Sequence, residues 1–289
     1  MPGVSVIIPA FNRADLLTKA VESVLRQTVR DFEIIVVDDG SNPPLSAARL
    51  PDDPRLRIIR LDENRKAANA RNIGMNSASG EWIAFLDSDD TWRPEKLERQ
   101  LALAATIEPD NLCAIATGWT YIGDEHPTIS LIPREADRIE EFSAGSWFCP
   151  GSTVVMRRAD ALRIGLQDVT LKRLEDYDWF LRFSLMGGTL RVVPEPLAAI
   201  RWHRSLDSEA VREASALIER KFCRPESAFF ITAAAARRRV QGFLALAVAS
   251  AAWYNQRRLT ALAALASSWF RWPRLRPQLA DWWTKTSNP

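Results

Sequence analysis

The sequence predicts an α/β fold: a mainly parallel sheet flanked by helices, followed by a helical C-terminal extension. Three observations predict it. Continuous apolar runs of strand length alternate with segments of helical periodicity through the first hundred residues. Acidic clusters follow two of those runs directly. From about Asp207 onward the strand signal vanishes and an Ala-rich helical pattern takes over.

Val4–Ile8 is a continuous apolar run, as expected of a strand covered on both faces. Leu16, Leu17, Ala20, Val21, Val24 and Leu25 then recur at helical spacing. Phe32–Val37 is a second buried strand, broken by Asp38-Asp39-Gly40-Ser41; Leu56–Leu61 is a third. Lys66–Ala78 reads as a helix and Trp82–Leu86 as a fourth strand. Strand–helix alternation of this kind builds parallel sheets. Further on, Leu112–Thr117, Ser152–Met156 and Thr189–Val193 read as strands, and Arg158–Ile164 and Leu174–Met186 as helices. Pro273 and Pro277 end the last long helix. The chain divides at about 1–110, 111–208 and 209–289.

Composition is that of a globular protein, with 47% hydrophobic and 26% charged residues. A net charge of +2 gives no nucleic-acid signal. The charge is unevenly placed: residues 231–289 hold eight Arg and one Lys against Asp281, about +8, and five of the eleven Trp. Cys113, Cys149 and Cys223 show neither pairing nor metal spacing and read as reduced thiols. No signal peptide precedes Val4, and the apolar run Phe243–Tyr254 is too short to span a bilayer. A cytoplasmic protein is the expectation, with a peripheral place at the inner face of a membrane left open.

In open α/β sheets ligands bind beyond the carboxyl ends of the strands. Asp38-Asp39 and Asp87-Ser88-Asp89-Asp90 both fall there, and would repel each other without a cation between them. Carboxylates and a diphosphate are hard oxygen donors that suit Mg²⁺ or Mn²⁺. Taken singly, each Asp also suits a turn or a helix cap. The first strand is followed by Pro9-Ala10-Phe11-Asn12-Arg13 rather than G-x-G-x-x-G, and no P-loop occurs, so a dinucleotide enzyme and a P-loop NTPase are disfavoured.

Four linked segments, Val4 to Arg13, Val37-Asp38-Asp39-Gly40-Ser41, Ala70-Arg71-Asn72-x-Gly74 and Leu86-Asp87-Ser88-Asp89-Asp90, resemble the family 2 glycosyltransferases. The resemblance implies a Rossmann-like GT-A fold, with 1–110 binding the nucleotide sugar and 111–208 the acceptor. It implies metal-dependent, inverting transfer of a sugar from a nucleoside diphosphate to an acceptor hydroxyl, in synthesis of cell-surface polysaccharide or glycolipid. UDP is the implied nucleotide; dTDP would use the same contact, and GDP stays open. By position, Pro9, Phe11 and Arg13 line the nucleoside pocket and Asp39 accepts from the uracil imide. Arg71 approaches the pyrophosphate or the base, Asp87 and Ser88 touch the nucleotide sugar, and Asp89 holds the metal.

Glu175-Asp176-Tyr177-Asp178-Trp179 resembles the family's E-D motif, with Asp176 as catalytic base. Read without the resemblance, these acids complement a helix N-terminus. Arg201-Trp202-His203-Arg204-Ser205-Leu206-Asp207-Ser208 resembles another family segment and implies that His203 binds the metal or diphosphate. Gly151-Ser152-Thr153 corresponds to a stretch that faces the acceptor; Trp147, Trp179 and Trp202 read equally as sugar platforms or core. The lack of Q-x-x-R-W and of membrane spans favours single-sugar transfer over polymer export. The alternatives are a sugar-nucleotide nucleotidyltransferase, which needs a Gly-rich basic N-terminal loop this chain lacks, and a catalytically silent binding module. The Arg- and Trp-rich tail is expected either to touch an anionic membrane or to pack on the domain.

Overall fold

The computed structural model describes residues 3–45, 50–123, 128–201 and 207–273, together with the backbone of 283–286. β1 (Val4–Ala10), β2 (Phe32–Asp38), β3 (Leu56–Arg60) and β4 (Trp82–Phe85) form the parallel part of the sheet, in the order β4-β1-β2-β3. Their side chains alternate between two cores. Val4, Val6, Ile8, Ile34 and Val36 face one together with Leu17 and Val21 of α1 (Ala14–Leu25). Ile7, Ile35 and Val37 face the other with Ala70 and Met75 of α2 (Lys66–Ser77). Burial on both faces is why β1 and β2 read as apolar runs, broken only at Ser5 and Glu33, rather than alternating ones, whereas β3 at the sheet margin exposes Arg57 and Arg60.

The second half extends the same sheet. After β5 (Thr91–Trp92) and α3 (Lys96–Ala104), β6 (Cys113–Ile122) and β7 (Ile129–Pro133) form an antiparallel pair. Two short helices follow, α4 (Ile139–Phe142) and α5 (Pro150–Thr153), then β8 (Val155–Arg157). β8 lies antiparallel between β4 and β6, so residues 1–110 and 111–208 share one continuous sheet. The run 152–156, expected to be a strand throughout, is thus split between a helix and a strand, with Pro150 opening the helix at a position where a missing N–H costs nothing.

α6 (Arg158–Ile164) and α7 (Glu175–Leu185) match their expected spans closely, but β9 (Thr189–Arg201) is far longer than expected. It runs on through Pro194 and Pro196, residues that lack an amide N–H. They are accommodated at an irregularity, where Thr117 faces Val193 and Gly118 faces Pro196, so the ladder skips two residues. β9 is parallel to β6 and antiparallel to β5.

α8 (Ser208–Cys223), α9 (Ala234–Tyr254) and α10 (Arg258–Arg271) form the helical extension. Ile218, Phe222, Val240 and Leu244 pack on Leu171, Tyr177 and Leu181, fixing the extension to α7. The all-helical expectation for the tail is corrected by β10 (Trp283–Thr286), which pairs antiparallel with β7. Hydrogen bonding to a distant strand, invisible in local sequence, decides this segment. No helix among the described residues is long and apolar enough to cross a membrane.

Candidate active site

Parallel pairing sets Ala10 opposite Asp38 and Ile7 opposite Phe85, so the chain leaves β1, β2 and β4 at one sheet edge. Asp38 and Asp39 then part company. Asp38 is fully buried and accepts from Ser41 N (2.9 Å), Leu45 N (3.2 Å) and Arg60 Nη1 (2.6 Å). Burial alone would raise its carboxyl, but these bonds hold it below its ordinary value. It builds the turn.

Asp39 accepts from the backbone N–H groups of Arg65 and Lys66, both at 2.8 Å, at the start of α2. Each carboxylate oxygen has a second lone pair for a further donor. Burial pushes this carboxyl up from its ordinary value despite those bonds. Gly40, at φ +74°, gives the turn its shape, and a Cβ there would lie 2.5 Å from the Glu63 carbonyl carbon. Asn12 N donates to Ser41 Oγ (2.9 Å) and Asn42 N to Asn12 Oδ1 (2.8 Å), tying the β1 exit to the same turn. Pro9 is half-buried and Phe11 exposed beside it. Arg13 does not stay on this nucleoside side alone: its guanidinium pairs with Asp89 across the edge.

The second part of the site centres on Arg71. Its side chain, 8% exposed, bridges Asp87 Oδ1 (2.7 Å) and Glu175 Oε1 (3.0 Å). This one guanidinium joins α2, the exit of β4 and the start of α7. The Asp87 side chain is 40% exposed, whereas that of Asp89 is 6% exposed. Gly151 lies against the Asp87 carboxylate; a Cβ there would fall 2.7 Å from Oδ2. Ser88 is buried.

Asp176 follows Glu175 in the first turn of α7, where its Oδ1 accepts from Tyr177 N at 2.7 Å. Burial, reinforced by Glu175 and opposed by Arg71, pushes its carboxyl up to about 6. Asp178, which sequence could confuse with it, is fully buried. It pairs with Arg182 Nε (3.0 Å) and Lys221 Nζ (2.6 Å), so it is structural.

Two groups were not anticipated. Asp90, 3% exposed, accepts from Arg201 N (2.8 Å) and from Ser152 Oγ (2.5 Å). Ser152 Oγ in turn accepts from Asp87 N (3.1 Å). Burial beside Asp87 pushes the Asp90 carboxyl up to about 8. Lys96 is fully buried, 2.7 Å from Gln100 Oε1 and 4.0 Å above the Trp92 ring. Gln100 donates to the Thr153 carbonyl (2.8 Å) and Trp92 Nε1 to that of Ser152 (2.7 Å), bracing α5 from behind. Asp90 stood in the quoted acidic cluster; Lys96 carried no signal, since it reads as an ordinary helix-surface residue.

Strained backbone gathers here. Asn12, Lys66, Cys149 and Leu174 all have positive φ, and each adjoins a site segment. Non-glycine residues hold such conformations only where surroundings enforce them, typically at functional sites. Trp147 and Trp179 are core residues, 4% and 1% exposed, with their indoles donating to the carbonyls of Arg134 and Gly165. Trp202 and His203 lie outside the described residues. Among the described residues no group of three or more His, Cys, Asp or Glu side chains could hold a metal ion.

Residues 5–164, more than half of the chain, match the sequence model of "Glycosyl transferase family 2". The chain belongs to the family 2 glycosyltransferases. Apart from Val4, the four linked motifs fall within the matched span. Succinoglycan biosynthesis protein ExoO of Rhizobium meliloti is 44% identical over 122 residues, 40% of this chain and 35% of that protein. The amylovoran biosynthesis glycosyltransferase AmsB of Erwinia amylovora is 28% identical over 206 residues, 67% of this chain and 68% of that protein. The match thus spans about a third of ExoO and two thirds of AmsB. The crystal structure of S. aureus TarS 1–349 in complex with UDP aligns with a TM-score of 0.58 at 17% identity, covering 97% of this chain and 92% of that one. That likeness shows the GT-A fold.

Proposed function

We propose that this glycosyltransferase moves a sugar from a nucleoside diphosphate to an acceptor hydroxyl in a single inverting displacement, with Asp176 as general base. The observation that carries the reading is the Arg71 bridge, which joins the Asp87 end of the donor segment to the Glu175-Asp176 turn. In the reaction the acceptor oxygen attacks the anomeric carbon and its proton passes to Asp176. The bond from that carbon to the diphosphate breaks, and the diphosphate leaves with the electron pair. A carboxyl at about 6 is ionised at neutral pH yet more basic than an ordinary Asp, which suits a proton acceptor.

Residues 1–110 hold the donor and 111–208 the acceptor in this reading, with 209–289 as the extension. UDP is the favoured nucleotide. Asp39 has acceptor capacity for a base imide, Pro9 and Phe11 border the same turn, and TarS, of the same fold, has been crystallised with UDP. Asp87 and Asp89 offer only carboxylate oxygens, which fit Mn²⁺ or Mg²⁺ held jointly by protein and diphosphate. Such a cation would neutralise charge on the departing diphosphate. In the structure described, Arg71 and Arg13 supply positive charge to these carboxylates, so a cation at Asp89 competes with Arg13. His203 is the further candidate ligand. The names of ExoO and AmsB, succinoglycan and amylovoran biosynthesis proteins, point to an acceptor in bacterial polysaccharide synthesis.

The test is product stereochemistry. With a UDP-sugar donor and Mn²⁺, ¹H NMR of the new anomeric proton is expected to show the configuration opposite to the donor. Retention would exclude a single displacement.

A further inference from the structure

The extension solves half of the question posed by its Arg and Trp residues. Arg237 donates to the carbonyls of Ile231 and Thr232; Arg239 donates to that of Glu140 and covers the Trp272 ring; Trp272 itself is buried in the core. Arg237 thus braces the start of α9, while Arg239 and Trp272 fasten the tail to the domain. Trp269, by contrast, stands exposed on the outer face of α10.

α10 is built inside out for a helix on a water-soluble body. Its inward positions are small: Ala261 and Ser268 are buried, and Ser268 Oγ donates to the Gly242 carbonyl of α9 (2.7 Å). Its outward positions are large and apolar. Leu259 is 85% exposed, Leu262 56%, Trp269 70% and Phe270 87%, with Ala263 and Ala266 exposed between them. The spacing i, i+3, i+4, i+7, i+10, i+11 makes one continuous ridge. Trp253 and Tyr254, also exposed, close α9 next to the turn that starts α10, so aromatic residues stand at both ends.

Charge selects the occupant. No Asp or Glu occurs between Glu226 and Asp281, a stretch with eight Arg. Arg257 and Arg258 are exposed at one end of the ridge, Arg257 within electrostatic reach of Glu209, and Arg271 stands at the other, 3.9 Å from Glu219. A second copy docking ridge to ridge would set these cations against their own kind with no acid of the stretch to offset them. An anionic bilayer surface offers the complement: negative headgroups for Arg, an apolar layer for Leu and Phe, and an interface that favours Trp and Tyr. We propose that the outer ridge of α10 docks this protein on an anionic lipid surface, lying in the interface without crossing it. The proposal stands apart from the identity of the sugar donor.

Flotation with lipid vesicles tests it. The full chain is expected to float with vesicles of phosphatidylcholine containing a minority of phosphatidylglycerol, less with phosphatidylcholine alone, and less at high salt. In Leu259→Ser/Phe270→Ser both changed side chains are almost wholly in water, so unfolding temperature and UDP binding are expected to stay as in the parent chain. Removing two apolar side chains of this size is expected to weaken partitioning roughly a hundredfold. Arg257→Gln/Arg258→Gln is expected to abolish the preference for anionic vesicles. The proposal is overturned if the parent chain fails to float, if the Leu259/Phe270 variant floats equally well, or if light scattering shows a dimer that this variant splits, which would make the ridge a self-interface. UDP binding reads the donor site separately, so loss there would count against the proposed reaction and not against the ridge.

Discussion

Lys221→Met probes the junction between the extension and the catalytic helix. The fully buried Asp178 has two cationic partners, Arg182 Nε at 3.0 Å on its own helix and Lys221 Nζ at 2.6 Å from α8. Lys221 also reaches Asp168 at 3.1 Å. Removing one partner of a buried pair leaves charge uncompensated and costs about 3–5 kcal/mol. Arg182 remains, and the Lys221 side chain is 21% exposed, so the low end, about 3 kcal/mol, applies. For a chain of this size that lowers Tm by roughly 6–9 °C. Chemical denaturation of the parent chain, Lys221→Met, Asp178→Asn and the double variant gives the coupling. The double variant is expected to be more stable than the sum of the two losses by at least about 1 kcal/mol. The kcat of Lys221→Met is also expected to fall with donor affinity little changed, because Asp178 sits two residues beyond Asp176 on α7. A loss under about 0.5 kcal/mol, or strict additivity, would refute the argument that this ion pair holds the extension to α7.

Asp176→Asn is expected to lower kcat by roughly 10²–10⁴-fold while donor binding by calorimetry stays within a few-fold. In the parent chain kcat is expected to rise with pH through about 6 as Asp176 loses its proton, and to level off above; a pH-independent rate from 5 to 8 would remove it as base. Asp90 ionises near its ordinary value when unfolded but near about 8 when folded, so the folded chain keeps a proton that the unfolded chain releases. Its contribution is intact below about 4 and is lost as pH rises toward about 8; in metal-free buffer, Asp90→Asn is expected to gain stability over the parent chain across that window. Gly151→Ala sets a methyl group 2.7 Å from Asp87 Oδ2, so it is expected to cost about 1–3 kcal/mol of stability and to weaken UDP binding in calorimetric titration.

The parallel half of the fold was legible because its determinants are local. Val4–Ile8 and Phe32–Val37 carry their double burial as runs that are apolar but for Ser5 and Glu33, and acidic clusters follow β2 and β4 at one sheet edge. The antiparallel half was legible only in pieces. β9 continues past Val193 through Pro194 and Pro196 because its pairing with β6 absorbs them at the irregularity, and β10 exists because β7 is there to pair with it. In the site, Asp39, Arg71, Asp87, Asp89 and Asp176 were named from motifs and do gather at one edge. What the sequence could not show was how their charges are disposed: that Arg71 serves Asp87 and Glu175 together, that Arg13 sits on Asp89, and that Asp90 and Ser152 form a pair behind them. Such arrangements depend on which side chains meet across the sheet edge, and spacing along the chain does not encode that.

The return of the chain to β7 has a practical consequence. Sheet margins with open amide and carbonyl rows recruit other chains, and β10 covers the five-residue row that β7 would otherwise present, leaving a shorter, four-residue strand at the margin. Cutting the protein after α10 would therefore do more than shorten a tail: it would uncover a sticky seam, and aggregation of such a fragment would report that seam and nothing about catalysis.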